Sequence, residues 1–443
     1  MNSECFFIKT DWMKLDECPA EVGDTYADLK IEANGWIAGE NYDSYSKYMR
    51  ESAVVSAYPM VLWIASYWWR ILYEPCPSKW DYESLSYSWR SAHELTSSGN
   101  GFIWPPLRFI PNGERILIIL HPSSMHSPSN AQYIREGKIS VDREVFESGL
   151  SDFVTKTIDR LELMGYRNTE LQKLWLEVEK ERRDSDSNLF RIIEASLGFN
   201  PDEGPDELID ALADKIGVAG FQPILEIAVA SSVEAVANPY DTATSIINVN
   251  GRGLPASFNY GNFQSEKVDF KKAKPWEAGH VIARNLRSHL GYGYDPIDND
   301  QLASLFELRT QALTGEDVSV ENLSLGVPDE TNPNHLKICF HQKHLTGRRF
   351  YLARILGERL LDAEQPTNWL PATFALTWRQ KYQRAFASEF LCPFQVLEEK
   401  IAKANPDDDI FAPLAQRYIM DEYRLEKHWQ RNKSDRDGGL MSL

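Results

Sequence analysis

Cysteine is scarce in this chain. Only 5 occur in 443 residues, at positions 5, 18, 76, 339 and 392, and none forms a C-x-x-C pair. An odd, unpaired set suggests neither a disulfide framework nor a cysteine zinc site, and a reducing cytoplasm is the expected location. Residues 1–14 lack the charged-then-apolar order of a secretory signal. Basic residues are in the minority, 47 Lys and Arg against 65 Asp and Glu, for a formal net charge of −18. Nucleic-acid backbones repel such a chain on average, so a general nucleic-acid coat is excluded and only a local basic face is left open. Long apolar runs are missing as well. The charge-free stretch 52–69 is near the minimum for a spanning helix. Pro59 interrupts it, Ser52, Ser56 and Ser66 dilute it, and Arg70 follows directly. It is expected to be a buried core segment, with no membrane association. No G-x-x-x-x-G-K-[ST] phosphate loop occurs, and the glycine-containing stretch 98–101 has no lysine after it.

What is present reads as globular, with 43% hydrophobic and 25% charged residues. A chain of this length exceeds one ordinary core, so several domains are expected. Residues 1–142 are tryptophan-rich, with Trp63, Trp68, Trp69, Trp80, Trp89 and Trp104 crowded together. Ile116, Leu117, Ile118, Ile119 and Leu120 follow Pro111-Asn112-Gly113, which predicts a buried strand entered by a hairpin. Aromatic density of this kind serves a core before it serves a ligand cage. Residues 143–235 read as a helical region, with Leu171, Leu174, Trp175 and Val178 at helical spacing and Gly198 as a stop. Residues 236–274 read as an irregular linker, because Pro239, Gly251, Gly253, Pro255 and Gly261 break any period. From Pro275 a helix is predicted through Val281, Ala283, Leu286 and Leu290, closed by Gly291. Pro296-Ile297-Asp298 opens a second short helix, and a strand is predicted over 336–340. Residues 433–443 read as a polar tail.

Two further stretches carry a resemblance. One is Arg348-Arg349-Phe350-Tyr351-Leu352-Ala353-Arg354-Ile355-Leu356-Gly357-Glu358. The other runs from Gln380 through Ala385-Phe386-Ala387 to Leu391-Cys392-Pro393. In this order, and followed by a helix pair over 414–431, they resemble the ImmA/IrrE family of zinc metallopeptidases across residues 275–432. The resemblance implies a zincin-like α+β domain in which an H-E-x-x-H helix holds zinc and a glutamate of the next helix completes the site. On this sequence the first histidine becomes Arg354, the general base Ile355, the second histidine Glu358 and the third-ligand glutamate Tyr382. Arginine stays protonated and does not ligate a cation, isoleucine exchanges no proton, and one carboxylate makes no zinc site. Arg354 and Glu358 stand at i and i+4, where a salt bridge is expected to replace the cation.

The expected fold is therefore α+β and mostly helical: an N-terminal α+β domain, a helical middle and a degenerate ImmA/IrrE-like domain. No catalytic residue, metal ligand or cofactor is assigned. Arg354, Ile355, Glu358 and Tyr382 mark the vestigial site. The expected function is that of an inactive metallopeptidase homologue acting as a regulatory or protein-interaction module. The resemblance implies a stress-response, mobile-element or toxin–antitoxin setting and a protein partner such as a helix-turn-helix regulator. Two rivals stand beside it. Arg417, Arg424, Lys427, His428, Arg431 and Lys433 make a local basic stretch, and Arg424, Lys427 and Arg431 are the candidate nucleic-acid contacts of a DNA-binding regulator. An enzyme of another class in the N-terminal domain would draw on His93-Glu94, or on His121 and His126 with Ser123, Ser124 and Ser127. His341 and His344 have a spacing that suits a metal only weakly.

Overall fold

The computed structural model describes residues 4–16, 18–76, 85–123, 130–236, 238–248, 253–265, 269, 273–315, 323–361, 364–403 and 409–436. Trp80, Ser124, His126, Ser127, Gly251 and the stretch 437–443 lie outside them. The chain is α+β with helix predominating, and its strands form small antiparallel sheets. It divides into two compact units, Met1–Gly204 and Pro205–Leu443.

In the first unit, strand Tyr26–Ala33 pairs with Phe6–Trp12, Trp36–Ile37 and Ala53–Ser56. Its residues alternate between buried and half-buried, as the two-residue period of a strand with one covered face requires. The apolar run forms strand Arg115–Leu120, paired with Leu107–Pro111 across the Pro111-Asn112-Gly113 turn. Gly113 has φ +99°, a conformation that favours glycine there. The charge-free stretch forms strand Ala53–Ser56 and helices Ala57–Ser66 and Trp68–Tyr73. Among the described residues no helix is long and apolar enough to cross a membrane. Trp63, Trp68, Trp69, Trp89 and Trp104 are all buried, and Trp68 meets Trp175 edge-on with ring centroids 4.9 Å apart. These rings build the core. His93 is in it too: Nδ1 lies 2.8 Å from the Phe109 carbonyl and Nε2 3.0 Å from Glu74, which also takes the Arg70 guanidinium at 2.7 Å.

The second unit opens with helices Asp206–Ala213, Phe221–Ala230 and Pro239–Ile247. The stretch read as an irregular linker thus carries a helix, and it also carries strand Leu254–Ser257. That strand is the edge of a sheet ordered Leu254–Ser257, His335–Cys339, Ser324–Pro328, Leu370–Ala372. An edge strand tolerates Pro255, because a missing N–H there costs no ladder bond. Four helices position the site: Pro275–His289, Leu345–Leu361, Trp378–Leu391 and Glu422–Arg436, called below the His280, Arg354, Tyr382 and His428 helices. The His280 helix buries Ala278, Gly279, Ile282, Ala283 and Leu286, a stripe of helical period, while Val281 is exposed. At Gly279 a methyl group would stand 2.8 Å from both the amide nitrogen of Phe386 and the carbonyl oxygen of Tyr382. Only glycine lets these two helices approach so closely. The predicted short helix forms as Asn299–Ser304, with a capping box between Asp298 and Gln301.

Candidate functional site

The Arg354 helix is buried on nearly every face, including four arginines and Glu358. Buried cations need acceptors. Arg348 donates to the Gln342 and Ala312 carbonyls at 2.9 and 2.8 Å. Arg349 donates to the Ile419 carbonyl at 3.1 Å, to Asn299 Oδ1 at 2.7 Å and to the Ile297 carbonyl. The paired arginines of the motif thus tie surrounding loops to this helix. Ile355 is fully buried among apolar neighbours.

The Arg354 and Tyr382 helices pack together, yet the expected salt bridge within the Arg354 helix does not form. Arg354 donates to the Thr373 carbonyl at 2.7 Å and to Gln380 Oε1, and its guanidinium carbon lies 5.0 Å over the Tyr351 ring. Glu358 instead accepts from Arg379 and from Gln383 at 2.7 and 2.9 Å. Each charge finds a better-aimed donor or acceptor on the facing helix than across one turn of its own. Tyr382 bonds neither charge. Its hydroxyl donates to the Gly357 carbonyl at 3.2 Å, and its ring stacks on Trp378. Arg379, Gln380 and Gln383, not Tyr382, are the residues that meet Arg354 and Glu358. Glu226, from helix Phe221–Ala230, lies beside this polar cluster near Thr377 and Glu358; burial pushes its carboxyl up to about 7. Burial likewise pulls the Arg354 guanidinium down to about 10.

Arg354 also lines a cavity of about 450 Å³ walled by the four helices. Six cationic side chains line it, Arg354, Lys381, Arg384, Arg424, Lys427 and Arg431, against one carboxylate, Asp421. The rest of the wall is aromatic, aliphatic or neutral and polar, with Trp276, Phe350, Tyr351, Phe374 and Tyr423, and Leu376 and Ala385, beside His280, Ser388, His428 and Asn432. Arg424, Lys427 and Arg431 follow one face of the His428 helix at helical spacing, so the structure brings the three candidate nucleic-acid contacts together with Arg354. Arg384 donates to the Ala375 carbonyl at 2.8 Å, and Arg424 stacks 4.1 Å over Phe350. Burial first, and then the neighbouring Arg354 and Arg431, push the Arg384 guanidinium well below its ordinary range. These guanidiniums rest on carbonyl dipoles and ring faces, which offset a positive charge without cancelling it. The cavity is therefore a positive concavity with apolar sides, suited to an anion that carries a flat or apolar part.

Behind one wall, His280, Glu389 and His428 converge from three helices, with potential ligand atoms all within 4.8 Å of one another. No other such group of three occurs among the described residues, so His341 and His344 do not assemble a site. Burial pulls His280 down to about 3. Burial would raise Glu389, but the ion pair with His428, the charge of His280 and the Arg284 hydrogen bond hold it at about 2. In the first unit, Ser123 Oγ accepts the Tyr133 amide at 3.2 Å, and burial and Arg108 lower His121. Sequence reasoning missed His280, Glu389, Gln380 and Gln383. None was assigned a role, although Gln380, Gln383 and Glu389 fall in the second stretch that carries the resemblance and His280 in the helix predicted from Pro275. Compared with protein-family models, curated proteins and solved structures, the chain matches none.

Proposed function

We propose that the second unit is a non-catalytic, metallopeptidase-like module that senses a small phosphorylated ligand, and that the chain acts as a regulator through it. The observation that carries this reading is the cavity, with six cations facing one carboxylate around Arg354. Its volume of about 450 Å³ suits a nucleotide-sized molecule. The cations take the phosphates, as guanidiniums do in pairs, and the aromatic wall takes a base or another flat group. A double helix does not enter such a cavity, which weighs against reading Arg424, Lys427 and Arg431 as major-groove contacts. The resemblance to ImmA/IrrE proteins supports a protein partner, such as a helix-turn-helix regulator, as the receiver of the signal. On that reading, Arg354 with Gln380 takes the place of zinc chemistry.

Fluorescence of Trp276 and calorimetry, with ATP, inorganic pyrophosphate, a single-stranded oligonucleotide and a duplex as separate probes, test the proposal. The nucleotide and pyrophosphate are expected to bind, more weakly at high salt, and Arg384→Met with Arg424→Met is expected to abolish binding. Absence of nucleotide and pyrophosphate binding at millimolar concentration refutes it. Preference for the duplex would favour the DNA-binding reading instead.

A further inference from the structure

We propose that His280, Glu389 and His428 form a site for a borderline transition cation of the zinc class. The site is separate from the vestigial motif and stands at the edge of the cavity. The three residues come from three helices, and two imidazoles with one carboxylate are a donor set that binds zinc and its first-row neighbours. All three are buried, at 8%, 1% and 4% exposure. Such a set normally satisfies itself internally, yet this one does not. His428 Nε2 is buried, stands 3.4 Å from Glu389 Oε2, and has no hydrogen bond. Neither ring nitrogen of His280 has a hydrogen bond among the described residues; its ring meets that of His428 at 5.5 Å and 74°. A buried nitrogen left unsatisfied, as His428 Nε2 is, facing a carboxylate is costly unless something fills the space between them.

The carboxylate has other tasks, and these set the geometry. Glu389 Oε1 takes Arg284 at 2.7 Å, and Oε2 accepts the Phe394 amide at 3.0 Å. An Oε2 with one amide donor keeps a second lone pair, and it is this oxygen that faces His428. The Arg284 side chain is 54% exposed, so a cation that takes over its charge on Glu389 lets it turn to solvent. Asn432 Nδ2 lies 3.2 Å from His428 Nδ1 and 2.7 Å from the His428 carbonyl. A cation on Nε2 moves the imidazole proton to Nδ1, so Asn432 must turn its oxygen to receive it, the outer-shell role common around metal-bound histidine. Asn432 is therefore a positioning residue. His280 and His428 also line the cavity, which leaves a coordination position open to water or to an anion. The inference does not depend on the anion reading, because the metal is tested alone.

The test uses the full untagged chain, stripped with chelator and titrated with Co²⁺ alone. Visible absorption of bound cobalt is read, followed by displacement with Zn²⁺. One cobalt per chain with a tetrahedral-type spectrum is expected. His280→Ala/His428→Ala is expected to remove the absorption band. Asn432→Ala is expected to weaken binding by about 10–100-fold, the usual effect of losing an outer-shell partner. His341→Ala/His344→Ala is expected to leave it unchanged. Circular dichroism confirms folding of each variant, and His280→Ala alone, at the cavity edge, stands in if the double variant unfolds. No cobalt band at millimolar metal overturns the proposal, as does a band that survives in folded His280→Ala/His428→Ala or in folded His280→Ala.

Discussion

Gly279→Ala sets two opposed effects against each other where the His280 helix meets the backbone of the Tyr382 helix. In the interior of the His280 helix, alanine gains about 1 kcal/mol over glycine from helix propensity alone. The new methyl group would stand 2.8 Å from the amide nitrogen of Phe386, 2.8 Å from the carbonyl oxygen of Tyr382 and 3.1 Å from the Ala385 methyl. The first two are backbone atoms of a helix anchored by buried Phe386, Phe390 and Leu391. They yield only if the whole helix moves. Overpacking of this kind costs about 1–3 kcal/mol, and rigid neighbours place it in the upper half of that range. The net expectation is a loss of about 1–2 kcal/mol. Gly217, in helix Ile216–Ala219, is the control, because a methyl group there meets nothing within 4 Å. Gly217→Ala is expected to gain about 0.4–1 kcal/mol. Urea unfolding of the two variants, followed through the same transition with unchanged m-values, measures both. Gly279→Ala at or above the parent's stability would refute the close-packing argument and the helix placement behind it.

Glu226 gives a pH signature. Its folded carboxyl titrates near 7, above the ordinary value of 4.5, so between these pH values the folded state holds a proton that the unfolded state has released. Stability then falls as pH rises from about 4.5 to 7, by about 3 kcal/mol in all, and Glu226→Gln should flatten that fall; an unchanged pH profile refutes it. Arg354→Met should change stability by no more than about 1 kcal/mol, because it removes a buried cation without a carboxylate partner while Gln380 Oε1 keeps the Thr373 amide. The same variant should weaken nucleotide binding at least about tenfold in calorimetry, as expected when a charged hydrogen bond is lost, and a stability loss above about 3 kcal/mol counts against it. Phe386→Ala should cost about 3–5 kcal/mol, since the ring is fully buried. Tyr382→Phe, which loses one hydrogen bond to Gly357, should cost about 0.5–1.5 kcal/mol, and denaturation curves that reverse this order would refute the packing.

Where local chemistry decides an element, the sequence was readable. Pro296-Ile297-Asp298 announces a short helix, and Pro111-Asn112-Gly113 after an aromatic- and proline-containing stretch and before an apolar run announces a hairpin; both form. Proline misled where its position matters more than its presence. Pro239 was read as a breaker, but it stands at the first position of helix Pro239–Ile247, where no N–H is lost, with Asn238 as its cap. The candidate site was legible only in part. Arg354 was singled out through the resemblance to a metallopeptidase motif, and Arg424, Lys427 and Arg431 through their charge; all four line the cavity. That they share one cavity depends on how helices far apart in sequence pack, which no local spacing records. The roles of Gln380 and Gln383 were invisible because a glutamine in a helix signals no chemistry until its partner is known. The Arg354–Glu358 bridge was a sound inference for an isolated helix, and it failed because both side chains are buried against a second one.

The hold of Arg349 on Ile419 bears on how this chain can be shortened. Ile419 has φ +51°, an uncommon backbone for a β-branched residue, and its carbonyl turns inward to a guanidinium 70 positions earlier. A fragment ending before residue 419 sheds the His428 helix and also leaves Arg349 Nε without its acceptor inside the core, at a cost of about 1–3 kcal/mol. C-terminal truncation should therefore weaken the Arg354 helix itself, and proteolytic trimming from that end should proceed by cooperative loss of the whole unit rather than by clean removal of its last helix.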